Sequence, residues 1–129
     1  MSVRTVRTNI SDVLVIEPQV HCDDRGSFFE SFNQRSFSKE IGKDIQFVQD
    51  NQSTSFKYVL RGMHYQINPF AEMKMVSCLR GEIYDVVIDI RPNSSSFLQW
   101  HGEVLSSSNK SSLIIPEGFA HGFQALSPD

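Results

Sequence analysis

The segment VLRGMHYQ, residues 59–66, joins apolar residues to side chains that could bind a ligand or transfer a proton. Arg61 carries a permanent positive charge, and His64 has the side chain that gains and loses a proton most readily near neutral pH. Residues three apart on a regular strand point to opposite faces, so these two side chains would diverge. Gly62 lies between them, and a glycine inside a strand often marks a bulge that redirects a side chain. A bulge at Gly62 would therefore decide whether Arg61 and His64 act together.

A second histidine, His121, follows the turn residues Pro116 and Gly118 in the segment IIPEGFAHGF. A lone histidine is more often a structural residue than a catalyst. Here both His64 and His121 lie within two residues of a glycine and in a predicted strand. This repetition strengthens the functional interpretation of the pair without deciding it.

The segment CDDRGSFFESF places Arg25 after two carboxylates and before a strand-like run. If that run is extended, Phe28, Glu30 and Phe32 point to one side of it. Arg25 and Glu30 are then candidates for the mouth of a pocket. The alternative is a charged turn followed by a core strand, which the frequency of charge clusters at turns favours.

A polar run, QDNQSTS, lies between Phe47 and Phe56. In an extended chain Gln49, Asn51 and Ser53 share one face. Amide and hydroxyl groups in a row suit either a solvated edge or a set of hydrogen-bonding groups for a ligand. The run by itself leaves both interpretations open.

The elements that must hold these side chains are predicted to be strands, because segments rich in Val, Ile, Phe and Tyr alternate with Gly, Pro, Asn and Ser clusters. The strands are expected near residues 12–17, 27–32, 45–50, 57–66, 73–80, 82–91, 98–106, 112–116 and 121–126. The strand at 82–91 is almost continuously apolar and should be central. One short peripheral helix is predicted over NQRSFSKEIGKD, capped by Asn33 and ended by Gly42. The serine-rich run 106–112 is expected to be an exposed loop.

Composition limits the class of protein. A chain of 129 residues with 40% hydrophobic and 21% charged residues suits one globular domain that can enclose a pocket. The net charge of −3, with scattered Lys and Arg, favours neither nucleic acid nor an anionic membrane surface as a partner. No apolar run is long enough to span a bilayer and the N-terminus lacks a secretion signal, so a cytoplasmic protein is expected. Cys22 and Cys78 are predicted to be reduced and without chemistry.

Five segments occur here in the same order as in the dTDP-4-dehydrorhamnose 3,5-epimerases, a family that this chain resembles from about residue 10 to residue 127. They are DRGSFFESFNQ, FVQDN, VLRGMHYQ, LRGEIYDVVIDIR and IPEGFAHGF, and PEGFAHGF is also similar to the second cupin motif. The resemblance implies an all-β, cupin-type jelly-roll β-sandwich in a single cupin-like domain, residues 1–129, that is C-terminally short relative to the family. It also implies a homodimer with exchanged N-terminal strands. Such an enzyme works without a metal or other cofactor on a dTDP-linked 4-keto-6-deoxy sugar of deoxysugar biosynthesis.

The resemblance implies a role for individual residues. His64 matches the general base that removes a proton next to the ketone, and Lys74 matches the lysine that stabilises the enolate oxygen. Arg25 and Arg61 match the positions that bind the diphosphate, for which a guanidinium offers a fixed fork of N–H donors. The remaining matches line the pocket for the nucleotide and the sugar: Phe28, Glu30, Gln49, Asn51 and His121.

The chain departs from the family's pattern in several places. Met73 precedes the matched lysine where the family usually has glycine, and Gln52 stands where many relatives have histidine. The family's catalytic acid is a tyrosine downstream of the HGF segment, and the carboxylate that orients the base histidine lies further on. Both positions fall beyond Asp129. Asp85 is then a candidate substitute for the orienting carboxylate of His64.

Two alternatives to an active epimerase stay open. A catalytically inactive or incomplete relative of the same fold would still bind the nucleotide sugar. A metal-dependent cupin would need two histidines one residue apart and a glutamate soon after. This chain has His64, Gln66 and a late Glu72, which offer too few nitrogen ligands for firm capture of a transition metal.

Overall fold

The computed structural model describes residues 3–67 and 71–128, and most of its regular elements are strands. In chain order these are β1 (Val3–Arg7), β2 (Leu14–Pro18), β3 (His21–Asp23), β4 (Gly26–Phe28), α1 (Gln34–Ile41), β5 (Leu60–His64), β6 (Lys74–Ser77), β7 (Glu82–Asp89), β8 (Trp100–Ser106), β9 (Ser112–Ile115) and β10 (Phe119–Ala125).

The strands form two four-stranded antiparallel sheets and one isolated hairpin. The first sheet has the order β1-β2-β9-β6 and is called the lysine sheet here because it carries Lys74. The second has the order β5-β10-β7-β8 and is called the histidine sheet because it carries His64 and His121. Among the described residues, strands β3 and β4 pair only with each other. The predicted all-β jelly-roll sandwich is confirmed.

The main core lies between the two sheets. It contains buried apolar residues from both of them and from the loop before β2: Ile10, Val13, Val15, Val87, Leu105, Leu113, Ile115 and Phe119. Strand β7 lies between β10 and β8, as expected for a central strand. Its burial alternates, and the face toward the core carries two fully buried acids, Asp85 and Asp89, beside Val87. The interior therefore has polar as well as apolar positions.

Helix α1 covers the outer face of the lysine sheet. Phe37, which is fully buried, packs there with Ile16, Ile45 and Ile114. The helix is capped as predicted, because the Asn33 side chain accepts a hydrogen bond from the Ser36 amide at 3.0 Å. At the other end Gly42 adopts φ 81°, a left-handed conformation typical of a helix C-cap. Within the described part of the chain, no helix has the length and apolar character needed to cross a bilayer.

The strand predicted at 45–50 is wrong. Ile45 packs under α1, where its amide donates to the Ser38 hydroxyl at 3.0 Å, and residues 46–50 pair with no strand in the part of the chain that the structure describes. The Val48 side chain is 90% exposed, and no described strand lies alongside this run to take its backbone hydrogen bonds.

The strand predicted at 27–32 is also mostly wrong. Strand β4 ends at Phe28, and the β3–β4 hairpin is exposed along its whole length. The favoured alternative, a charged turn leading into a core strand, fails because Phe28 is 61% exposed. Strand β1 was not predicted, since VRTVR has too few apolar residues to stand out.

Candidate active site

A bulge at Gly62 brings Arg61 and His64 to the same face of the histidine sheet. His64 lies opposite His121, and Arg61 lies opposite Phe123. The pairing therefore advances two residues on β10 while it advances three on β5, so β5 contains one extra residue. Because His121 and Phe123 share a face, their partners His64 and Arg61 also share it. The predicted bulge is confirmed.

The glycines beside the two histidines allow β5 and β10 to approach closely at this bulge. Gly62 has φ 123°, which other residues rarely adopt, and a Cβ atom there would lie 2.6 Å from the Gly122 Cα. A Cβ atom on Gly122 would in turn lie 2.8 Å from the Arg61 carbonyl oxygen. Side chains at either position would push the two strands apart. The bulge thus depends on both glycines.

Both histidines lie on the face of their sheet that is turned toward the lysine sheet. His121 pairs with Val87, which is fully buried in the core between the sheets. Directly paired residues share a face, so His121 and its other partner, His64, line the interior. His121 is only 13% exposed, whereas His64 lies on the edge strand β5 and is exposed. His64 makes no hydrogen bond or ion pair with another described residue.

Lys74 lies on the facing wall. It pairs with Ile115, whose side chain is buried in the same core as Val87. Lys74 is half-buried, and among the residues that the structure describes it has no ion-pair or hydrogen-bond partner. The interior therefore has histidines on one wall and an unpaired lysine on the other.

Asp85 contacts His121 and not His64. The Asp85 Oδ2 lies 2.8 Å from the His121 Nε2, and the aspartate is fully buried. Burial raises the pKa of the Asp85 carboxyl above its usual range, and the hydrogen bond from His121 opposes that rise. The expectation that Asp85 orients His64 is therefore wrong, because the strand register places the carboxylate beside the other histidine.

Arg61 has no carboxylate partner among the described residues. Its Nε donates to the Ser55 hydroxyl at 2.8 Å, and another guanidinium nitrogen lies 3.5 Å from the Thr54 carbonyl oxygen. Both partners are neutral, so the positive charge of this exposed side chain is not compensated. That arrangement suits an anionic ligand.

The other predicted binding residues lie on segments outside the two walls. Arg25 is on the β3–β4 hairpin and bonds to Asp23 at 2.6 Å, which holds the pKa of that carboxyl below its usual range. Gln49 and Asn51 are exposed and bond to each other at 3.3 Å. Glu30 accepts a hydrogen bond from the Asn33 side chain at 3.3 Å, and its other carboxylate oxygen is buried without a described partner.

An open cavity of about 390 Å³ lies along the β3–β4 hairpin. It is lined by His21, Cys22, Asp23, Arg25, Gly26, Ser27 and Phe28, so none of its walls belongs to the histidine sheet. Its lining includes one imidazole, His21, and no lysine. The interior between the sheets has a histidine on one wall and a lysine on the other.

No metal site stands out near these residues. In residues 3–67 and 71–128, no group of three or more His, Cys, Asp or Glu side chains is arranged to hold a metal ion. His64 lies opposite His121, whose Nε2 is already bonded to Asp85. The geometry gives the alternative of a metal-dependent cupin no support.

Comparison with known proteins places the chain in a family. The family model for dTDP-4-dehydrorhamnose 3,5-epimerase matches residues 7–129. The chain is 53% identical to the dTDP-4-dehydrorhamnose 3,5-epimerase of Shigella flexneri, covering 96% of this chain and 68% of that protein. It is 55% identical to the enzyme of the same name from Escherichia coli K12, covering 95% of this chain and 66% of that protein.

Solved structures of the same kind superpose closely. The epimerase of Bacillus anthracis, determined with TDP and PPi bound, has a TM-score of 0.94 and 41% identity over 98% of this chain and 73% of its own. The dTDP-6-deoxy-D-glucose-3,5-epimerase of Legionella pneumophila, in complex with dTDP-4-keto-L-rhamnose, has a TM-score of 0.93 and 46% identity over 98% of this chain and 66% of its own. These matches confirm the resemblance to the family. The chain belongs to the dTDP-4-dehydrorhamnose 3,5-epimerase family of sugar-epimerising isomerases.

Proposed function

We propose that this protein inverts a carbon next to the ketone of a dTDP-linked 4-keto-6-deoxyhexose, as an epimerase of dTDP-rhamnose or related deoxysugar biosynthesis. The observation that carries the proposal is the bulge at Gly62. It sets Arg61 and His64 on one inward face, opposite Lys74. An anion-binding group, a base and a cation for an enolate are the groups that this reaction needs.

His64 is proposed as the general base. A proton on a carbon next to a ketone is weakly acidic, so its removal needs a base held against it. The His64 imidazole has no hydrogen bond to another described residue, so a ring nitrogen is free to take the proton. The C–H electron pair then moves toward the ketone oxygen and forms an enolate.

Lys74 is proposed to stabilise that enolate oxygen. Lys74 is half-buried, and its ammonium group is not neutralised by any carboxylate in the described ranges. A positive charge in a site shielded from water interacts more strongly with a developing negative charge than it would in bulk water. Because Lys74 faces the histidine wall, a sugar held between the sheets would have the base and the cation on different sides.

The substrate's diphosphate is proposed to bind Arg61 and Arg25. The free charge of Arg61 supports its part in this assignment, since its guanidinium already bonds only to neutral groups. The Legionella protein binds dTDP-4-keto-L-rhamnose and the Bacillus protein binds TDP and PPi, which supports a dTDP-linked ligand here. The proposed lining of the nucleotide and sugar pocket is Phe28, Glu30, Gln49, Asn51 and His121.

We further propose that the protein acts as a cytoplasmic homodimer. Residues 48–67, called the apolar segment here, expose several large hydrophobic side chains. They are Val48, Phe56, Tyr58, Leu60, Met63, Tyr65 and Ile67. Monomeric proteins rarely expose so many together, and a second copy over this segment would also shield His64 from water.

The β3–β4 hairpin, which pairs with no other described strand, would then bring Arg25 to the shared site. Both cysteines are free, which suits a reducing compartment.

Solvent exchange and ligand binding together test the function. With a dTDP-4-keto-6-deoxyhexose in heavy water, the protein should introduce deuterium at C3 or C5, and His64→Ala should not. Calorimetry that shows dTDP-sugar binding without any exchange would select the catalytically inactive relative instead. Absence of both binding and exchange would contradict both functions.

A further inference from the structure

The two interior histidines are held in different ways. His64 is exposed on an edge strand and contacts no hydrogen-bonding partner in the described ranges. His121 lies on the internal strand β10 and is tied to Asp85 through Nε2 at 2.8 Å. Such a difference between neighbouring residues of the same type points to different tasks.

The Asp85–His121 contact determines which ring nitrogen carries a proton. When Asp85 is ionised, its carboxylate can only accept hydrogen bonds, so the His121 Nε2 donates. No described residue bonds to the His121 Nδ1, and the ring retains some exposure. Nδ1 is therefore the nitrogen that a ligand in the interior can reach.

The residues paired with Asp85 across the sheet do not compete with His121 for its carboxylate. Its neighbours across the sheet are Phe123 on β10 and Glu103 on β8. Phe123 cannot hydrogen-bond to it, and Glu103 is already bonded to His101 at 2.8 Å. The second oxygen of Asp85 has no partner among the described residues.

A carboxylate in this environment is costly for stability. The side chain is fully buried and only one of its two oxygens is hydrogen-bonded. Burying an incompletely paired charge is unfavourable, and an apolar residue would pack there at lower cost. A functional requirement accounts for its presence better than packing does.

We propose that Asp85 is a positioning residue that keeps the His121 Nε2 protonated and leaves the His121 Nδ1 to accept a hydrogen bond from a sugar hydroxyl. This assignment rests on the proposed function for the identity of the ligand. His64 is then the histidine that moves a proton, and His121 is the fixed one that holds the sugar against it. Asp85 acts only through His121, because it is itself inaccessible.

Imidazole N–H signals test the positioning without a substrate. In histidine-labelled protein, nuclear magnetic resonance should show a solvent-protected N–H proton on the His121 Nε2, assigned by its loss in His121→Gln. The signal should persist in His64→Ala and should disappear in Asp85→Ala and Asp85→Leu.

The leucine variant refills the buried volume, so its fold should survive. Glu103→Gln removes the other carboxylate of a His–carboxylate pair on this face and should leave the signal unchanged. A signal absent from the wild type, or present in Asp85→Leu, would overturn the proposal.

Kinetics then connect the position of His121 to the reaction. Asp85→Leu should lower kcat/KM by about 10- to 100-fold, as loss of a carboxylate that orients a functional histidine does elsewhere, while Glu103→Gln should change it by less than about threefold. A folded Asp85→Leu protein with the wild-type kcat/KM would contradict the functional part. If the wild type itself shows no epimerisation, the proposed function fails, and the resonance measurement still decides the role of Asp85.

Discussion

Two cations at the interior lack a compensating negative charge. Some cations elsewhere pair with acids, as Arg91 does with Asp89 at 2.9 Å. Arg61 and Lys74, by contrast, bond to no carboxylate within the described residues. Unpaired cations on both walls suit a ligand that brings negative charges to the interior. A nucleoside diphosphate and an enolate would supply them.

Lys74 should therefore matter for the chemical step more than for binding. Lys74→Met keeps much of the side chain's length but removes the charge, so kcat should fall by about 100- to 1,000-fold while the affinity for dTDP changes little. Steady-state kinetics and calorimetry with dTDP measure the two quantities. Lys43→Met, at an exposed position after α1, is the matched control and should behave as wild type. A Lys74→Met protein with near-normal kcat would remove the lysine from the mechanism.

Residue types in the sequence were enough to nominate Arg61 and His64, and the family resemblance added Lys74, but neither identified the partner of Asp85. The alternating pattern of β7 already places Asp85 on the same face as the apolar Val87, which indicates an acid facing the core. Which histidine meets that acid depends on the register between β7 and β10. Register is set by pairing across the sheet, and a single segment does not contain it.

At the scale of elements, the close approach of β5 and β10 creates the site. The inward direction of both Arg61 and His64 depends on the extra residue in β5. The sequence predicts this bulge because a glycine that interrupts a strand pattern usually marks a bulge or a close backbone approach. The strand prediction at 45–50 was wrong because this run resembles a strand locally. In the structure its first residue, Ile45, packs against α1 instead. A local pattern shows whether a segment can be a strand, and only the rest of the fold supplies a neighbour for it.

Gly62→Ala should destabilise the protein and abolish activity. The new methyl group would meet the Gly122 backbone, and the positive φ would add strain, so the free energy of unfolding should fall by more than about 1 kcal/mol. Gly42→Ala is the matched control, because Gly42 also has positive φ but a Cβ there meets nothing within 4 Å. It should lose less stability and keep full activity. Urea unfolding followed by fluorescence compares the two variants. Equal losses in both would mean that the β5–β10 approach is not essential.

At the scale of the whole molecule, several large apolar side chains are exposed together. The apolar segment, residues 48–67, ends beside the proposed base and has little cover of its own. A second copy that covers it would exclude water from the interior and strengthen the interactions of Lys74. The single cupin-like domain over residues 1–129 and the homodimer both stay predictions.

Sedimentation velocity should show a dimer, and charges in the apolar segment should weaken it. Val48→Asp and Phe56→Asp place charges on side chains that are 90% and 79% exposed, so they cost little in a monomer. In a dimer interface each would be buried without a partner and should shift the equilibrium toward monomer. Leu79→Asp, at an exposed position outside the segment, should leave the dimer intact. A monomeric wild type, or equal effects of all three changes, would contradict the proposal.

Hydrogen exchange at the sugar carbons tests the central claim most directly, namely that His64 faces the interior as the base. Proton spectra of a dTDP-4-keto-6-deoxyhexose in heavy water should lose the C3 or C5 resonance with wild-type protein, at a rate proportional to enzyme concentration. His64→Ala should bind the same ligand and leave those resonances intact. Exchange that proceeds equally well without the imidazole would contradict the account, as would a wild-type protein that binds the sugar and never exchanges its protons.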